Sequence, residues 1–144
     1  MSTPRKPRPV IAAENEPFFS GAASGELVIQ RCRSCASCIF FPRVGCPHCL
    51  SADLEWIRAS GHGQLVSFCI VERPHHPAFY PEVPILFGAI RLEEGPTMLA
   101  ELRCPPEQPR IGMAVEVAFE EVDEGLTLPV WLPAADPQPG ASDD

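Results

Sequence analysis

The stretch Cys32-Arg33-Ser34-Cys35-Ala36-Ser37-Cys38-Ile39-Phe40-Phe41-Pro42-Arg43-Val44-Gly45-Cys46-Pro47-His48-Cys49 decides the fold. Two residues between paired cysteines let a tight knuckle point both sulfurs at one ion, and ten residues separate the two pairs. Zinc takes four such ligands in a tetrahedron, with Zn–S bonds of about 2.3 Å. Cys32, Cys35, Cys46 and Cys49 are therefore expected to hold one structural Zn(II), in the layout of a zinc ribbon, where metal replaces the core that so short a segment cannot make. The competing reading is a set of reduced, buried or redox-active thiols. A Cys35–Cys38 pair would also form a CxxC knuckle, leaving Cys32 spare. The Cys32–Cys35 assignment gives the spacing seen in ribbons and leaves Cys38 as a loop passenger. Four thiolates close the coordination shell, so the expected metal role is structural and not catalytic.

Upstream of the knuckles, Pro4, Pro7 and Pro9 prevent regular structure, and residues 1–13 read as a flexible lead. Asn15 is placed to cap a short helix with Glu16 and Pro17 in its first turn. Phe18, Phe19, Ala22 and Ala23 give that helix an apolar side, and Gly21 or Gly25 its end. Leu27–Ile29 reads as a strand entering the ribbon.

Downstream, five strand regions are expected: Trp56–Ala59 with Gln64–Val71, Ile85–Leu92, Thr97–Leu102, Val115–Val122 and Leu128–Leu132. Both faces of Leu65–Val71 are largely apolar, which suits a strand buried inside a barrel or under a neighbouring module, with Cys69 a buried small hydrophobe. The expected fold is mainly β: a short N-terminal helix, a rubredoxin-like zinc ribbon and a small five-stranded barrel of the OB type. The corresponding divisions are a lead over 1–13, helix and ribbon over 14–56, barrel over 57–133 and a disordered acidic tail over 134–144.

Eighteen prolines and ten glycines in 144 residues leave little room for long helices. Charge is uneven, with a net of +2 over residues 1–58 and −10 over 82–144. A nucleic-acid backbone wants the opposite sign, and the chain has one lysine, Lys6. No apolar run follows the basic residues Arg5, Lys6 and Arg8, so no secretory signal is expected, nor any stretch long enough to span a bilayer. Seven cysteines, an odd number with CxxC spacing, point to a reducing cytoplasmic setting in place of a disulfide scaffold.

With these residues in hand, the chain resembles the prokaryotic family of rubredoxin-like zinc-ribbon plus OB-fold acyl-CoA-associated proteins, domain of unknown function 35. The likeness runs from about Asn15 to Pro133. It is carried by Pro17-Phe18, Gly25-Glu26-Leu27, the two knuckles, Pro42-Arg43, Gly61-His62-Gly63 and His75-His76-Pro77-Ala78-Phe79. Leu92-Glu93-Glu94-Gly95, Ile111-Gly112-Met113 and Leu128-Pro129-Val130 complete it. The chain departs from the family where a glycine commonly follows the second ribbon cysteine and Ala36 stands instead. The resemblance implies an accessory subunit of a thiolase-like enzyme acting on C–C bonds of acyl-CoA, or of an acyl-CoA hydratase, with no activity expected of the chain alone.

On that reading Arg43, on the stiff Phe41-Pro42 turn, is the first CoA-phosphate candidate, because its planar donor fork suits a phosphate. An ordinary loop arginine is the bland alternative. His75 and His76 are further CoA candidates, against the alternative that one of them caps a turn. Phe18, Phe19, Phe40, Phe41, Phe79 and Tyr80 are the expected partner-interface aromatics, since six outside the main strands exceed scattered exposure. The competing classes are a single-stranded nucleic-acid binder, disfavoured by charge, and a rubredoxin-like redox carrier, disfavoured by the solitary ribbon with its long inter-pair loop. No nucleophile–base pair can be assembled from the residues.

Overall fold

The protein is described here by a computed structural model covering residues 4–135. The expected acidic tail therefore lies almost wholly outside the described residues. Helix α1 spans Glu16–Ala23, with Pro17 in its first turn and Glu16 at the positive end of the helix dipole. Phe18, Phe19 and Ala22 form its buried stripe. It ends in a Schellman turn: Gly25, at φ +79, donates to the Ala22 carbonyl at 3.0 Å, and Glu26 donates to that of Gly21 at 2.8 Å. Gly21 also lets the helix approach the next strand, since a Cβ there would fall 2.6 Å from Val28 Cγ2.

Asn15 occupies the expected N-cap position but makes no side-chain cap bond. Its Oδ1 instead accepts the Ala12 amide at 2.8 Å and its Nδ2 donates to the Val10 carbonyl at 3.1 Å, so the amide ties the lead to the helix entry. The lead continues across the molecule: Lys6 Nζ lies 2.7 Å from Glu82, and Arg8 lies 2.6 Å from Asp123.

Two antiparallel sheets follow. The ribbon sheet has the order β2-β1-β3, built from β1 (Val28–Cys32), β2 (Cys38–Ile39) and β3 (Leu54–Arg58). The stretch Trp56–Ala59 was expected to run with the barrel strands, but its residues up to Arg58 belong to β3. That strand pairs instead with β1 along its whole length, from Val28↔Arg58 to Cys32↔Leu54. Cys38 is likewise a strand residue, opposite Arg31, and not part of a loop.

The second sheet has the order β6-β5-β4-β7-β8, built from β4 (His62–Val71), β5 (Ile85–Leu92), β6 (Thr97–Glu101), β7 (Ala114–Asp123) and β8 (Leu126–Pro133). A parallel bridge between Leu102 and Trp131 brings its two edges together, giving the near-closed OB-type barrel expected. Pro129 is tolerated within β8 because that strand is a sheet edge and needs no donor on its outer side. One core fills the barrel, with Trp131, Ile29, Leu65 and Ile90 all at 0% exposure. Phe18, Phe19 and Leu27 belong to that same core, so α1 supplies part of the barrel's filling.

The outer half of β4 corrects the sequence reading. Only Leu65 is buried along the strand; Ile70 is 42% exposed and Cys69 is exposed. Strand β7 pairs with β4 only at His62–Gln64, and a bulge between Leu65 and Ser67 shifts the ladder, so residues beyond it have β5 alone as a neighbour. Among the described residues no module covers that face, and the apolar alternation there does not become burial.

Candidate metal centre and ligand-facing surface

The four knuckle cysteines converge as the spacing requires, with their Sγ atoms all within 4.8 Å of one another. Cys32 and Cys49 sulfurs lie 3.5 Å apart, and those of Cys35 and Cys46 3.7 Å. A Zn(II) tetrahedron with bonds of about 2.3 Å has edges of about 3.8 Å, which the two close sulfur pairs match, so the four donors fit the ion. Cys32 and Cys46 are buried and anchored beside Ile39 and Leu54, while Cys35 and Cys49 face outward. Cys38 lies outside the cluster, as the knuckle assignment required.

Each knuckle closes the same way. Ala36 donates to the Cys32 carbonyl at 2.8 Å and Leu50 to the Cys46 carbonyl at 2.9 Å, and the His48 amide points at Cys46 Sγ at 3.3 Å. Both closing residues are left-handed, Ala36 at φ 65 and Leu50 at φ 67. That is the conformation glycine adopts freely and a Cβ resists by roughly 1–2 kcal/mol. Ala36→Gly is therefore expected to raise the stability of the metal-loaded chain by about 1 kcal/mol, read from denaturant midpoints at unchanged slope; a loss of stability would show that the strain is not there.

Electrostatics also argue that the cage is built for a cation. Cys35 Sγ lies 3.3 Å from Ser37 Oγ, and hydrogen bonding of the Ser37 side chain and backbone to the ionised sulfur lowers the Cys35 thiol to about 6. Cys49 accepts from the Ser51 backbone, which lowers it, yet the hydrogen-bonded sulfurs of Cys32, Cys35 and Cys46 push it up to about 12. Four thiolates at these separations repel one another, and a bound dication is what lets all four ionise together. The remaining cysteines have no such setting. Burial raises the thiols of Cys38 and Cys104, with Glu94 and Glu107 adding to it, which opposes a nucleophilic role for either.

The other expected site residues are scattered around the ribbon–barrel junction. Arg43 is exposed, and its backbone is clamped by the buried Gln30: Gln30 Nε2 donates to the Arg43 carbonyl at 2.8 Å, and Oε1 accepts the Arg43 amide at 2.7 Å. Its side chain lines a concavity of about 410 Å³ shared with His48, Cys38 and Glu94. His75 is exposed. His76 is a turn cap: its Nδ1 accepts the Ala78 amide at 3.1 Å at the head of the 3-10 turn Pro77–Glu82, leaving Nε2 as its free nitrogen.

The aromatics divide. Phe18 and Phe19, expected at a docking surface, are buried at 4% and 8%, because α1 turns that stripe into the barrel. Phe40 packs half-buried against the same core, edge-on to Phe18 at a centroid distance of 5.5 Å. Phe41 and Tyr80 are exposed, and Phe79 sits half-buried with Lys6 Nζ 5.3 Å over its ring. Sequence reasoning missed Phe87 and Leu99, exposed apolar side chains on the outer face of β5 and β6. Their alternation with Leu86, Met98 and Ala100 was the available signal.

Two family profiles match this architecture in tandem: the rubredoxin-like zinc ribbon domain of ChsH2 over residues 19–55 and the C-terminal OB-fold domain of ChsH2 over residues 56–120. A DUF35 domain-containing scaffold protein of Methanocaldococcus jannaschii is 33% identical over 68% of this chain and 70% of its own length. The chain belongs to the ChsH2/DUF35 family. Another DUF35 scaffold protein, from Pyrococcus furiosus, is 35% identical over 62% of this chain and 70% of its own length. The chain is also 39% identical to a probable enoyl-CoA hydratase alpha subunit of Thermomonospora curvata, but spans only 40% of that protein's length. Among solved structures, the DUF35 fold superposes on a chain of the Ltp2-ChsH2(DUF35) aldolase with a TM-score of 0.79 at 39% identity, covering 89% of this chain and 100% of that one. A DUF35-family protein of Sulfolobus solfataricus shares the fold at a TM-score of 0.60 and 16% identity. No helix among the described residues is long and apolar enough to cross a membrane.

Proposed function

We propose that this chain is a non-catalytic accessory subunit of a thiolase- or aldolase-type enzyme that makes or breaks C–C bonds on acyl-CoA, held in shape by one structural zinc. The observation that carries the reading is the match over the full length of a chain of the Ltp2-ChsH2(DUF35) aldolase at 39% identity. The chemistry of the residues agrees with it. The knuckle cysteines are committed to a closed four-sulfur cage, the His76 ring caps a turn, and the exposed apolar groups Phe41, Tyr80 and Ile70 suit a partner surface. The nucleophile and bases then belong to the partner. Arg43, on its clamped turn, is the residue proposed to touch the CoA phosphates. His75 is a second candidate contact.

A hydratase partner is the second reading, favoured by the 39% and 30% identities to two hydratase alpha subunits, one from Thermomonospora curvata and one from Mycobacterium tuberculosis, each matched over 40% of its length. One experiment separates these. The chain is mixed with a separately purified thiolase-like enzyme or hydratase, association is measured calorimetrically, and acyl-CoA cleavage, condensation and hydration are assayed with each component omitted in turn. Turnover is expected only when both are present, with Arg43→Ala raising the KM for acyl-CoA several-fold at unchanged zinc content. Robust turnover by the chain alone overturns the accessory role, and an unchanged KM in the variant returns Arg43 to an ordinary surface arginine.

A further inference from the structure

We infer that the chain carries its own slot for an uncharged apolar chain, such as the acyl part of a thioester, beside the barrel seam and beneath its N-terminal lead. Strands β6 and β8 are joined by the single bridge at Leu102 and Trp131. Nearby opens a cavity of about 420 Å³, within the range of roughly 300–1,000 Å³ typical of small-molecule sites. Its walls include Phe41 from the ribbon, Phe79 from the 3-10 turn, Phe87 and Leu99 from β5 and β6, and Leu126 and Leu128 from β8. Leu99 is 76% exposed and Phe87 44%, a large apolar exposure for two neighbouring strands unless something covers it.

The charge at the rim selects the occupant. Every charged side chain lining the cavity has an opposite partner: Lys6 with Glu82, Arg8 with Asp123, and Arg103 with Glu101 at 2.9 Å and Glu120 at 2.5 Å. Among the described residues no unpaired cation is left there for a carboxylate or phosphate, so the cavity suits an uncharged apolar group. Lys6–Pro9 crosses it as a strap, held to Glu82 on one side and Asp123 on the other, with Pro7 and Pro9 adding apolar roof. The slot rests on the accessory-subunit reading only for the source of the apolar chain.

The test uses the isolated, zinc-loaded chain and uncharged N-acetylcysteamine thioesters from butanoyl to decanoyl, titrated calorimetrically. Expected is one ligand per chain, with affinity rising about fourfold per methylene until the slot is full and then levelling. Leu99→Glu and Phe87→Glu, both at exposed positions the core does not use, should each weaken the longest thioester at least tenfold while zinc content and circular dichroism stay unchanged. Absence of saturable binding across the series, affinity independent of chain length, or equal affinity in both variants would overturn the slot. Should the thioesters fail to bind while Leu99→Glu abolishes association with the partner enzyme, the groove takes protein side chains and the inference falls. No partner enters the titration, so its failure leaves the accessory reading standing, and failed complex formation leaves the slot standing.

Discussion

Cys32→Ser and Cys49→Ser should each release the metal and unfold the ribbon, while Cys38→Ser should retain about one zinc per chain. The effect is expected to be large because a preformed cage does not survive without its ion: metal binding in small zinc modules is mostly folding free energy, on the order of 10 kcal/mol. Cys32 is both a ligand and the last residue of β1, opposite Leu54, so its loss removes a cage corner and loosens the β1–β3 ladder together. Cys49 makes no strand pairing, which isolates the metal's share of the effect. Ile29 of β1 shares one core with Leu65, Ile90 and Trp131 of the barrel, so loss of the ribbon should also lower the stability of the barrel. Zinc content by colorimetric chelation and the thermal unfolding midpoint check this. Loss of zinc from Cys38→Ser would move the first knuckle to Cys35–Cys38 and contradict the cage geometry. Acid should act in the same direction as the serine variants, since each ligand must be a thiolate and protons compete with the ion as pH falls.

The features readable from sequence are those set within a few residues. A CxxC knuckle is closed by its own backbone, so Cys32, Cys35, Cys46 and Cys49 announce their cluster through spacing alone. Strand Ile85–Leu92 has the bounds its apolar alternation predicts, because it lies inside the sheet with neighbours on both sides. What failed to show is where one element meets another. Nothing local tells Phe18 and Phe19 whether α1 lays its stripe against the barrel or leaves it for a partner; only the packing of α1 against β8 and β1 decides it. Cys69 alternates as a core residue would, yet is exposed because β7 stops pairing with β4 after Gln64. Leu54–Arg58 looks equally suited to ribbon or barrel, and its ladder with β1 is a contact across the whole zinc loop. The strain at Ala36 was half visible, as a missing glycine, before its left-handed φ of 65 gave the reason a glycine is wanted there.

Phe18→Ala is expected to destabilise the protein by about 3–5 kcal/mol, the range for truncating a buried aromatic, whereas Phe41→Ala should cost well under 1 kcal/mol of stability. The two rings are neighbours, 6.3 Å apart at their centroids, so the contrast isolates burial from position. Phe18 is 4% exposed and reaches three parts of the fold at once: its own helix through Phe19, the ribbon through Phe40, and the barrel core. Removing it opens a cavity where ribbon and barrel are joined, and the surrounding sheets cannot collapse into it without breaking strand pairing. Phe41 is 47% exposed, so in the free chain about half of its surface already faces solvent, and its loss removes only its ring contacts with Phe18 and Phe40. In the proposed complex the order reverses. Phe41→Ala should weaken partner association by about 2 kcal/mol, as for a truncated interface anchor, with Tyr80→Ala behaving likewise. Denaturant unfolding of the free chain and calorimetric titration against the partner measure the two effects separately. If Phe41→Ala leaves affinity unchanged, the docking face lies elsewhere, and the exposed outer half of β4 around Ile70 is the next surface to truncate. If Phe18→Ala is mild, α1 does not anchor the barrel, and the helix returns to the role of a free docking element.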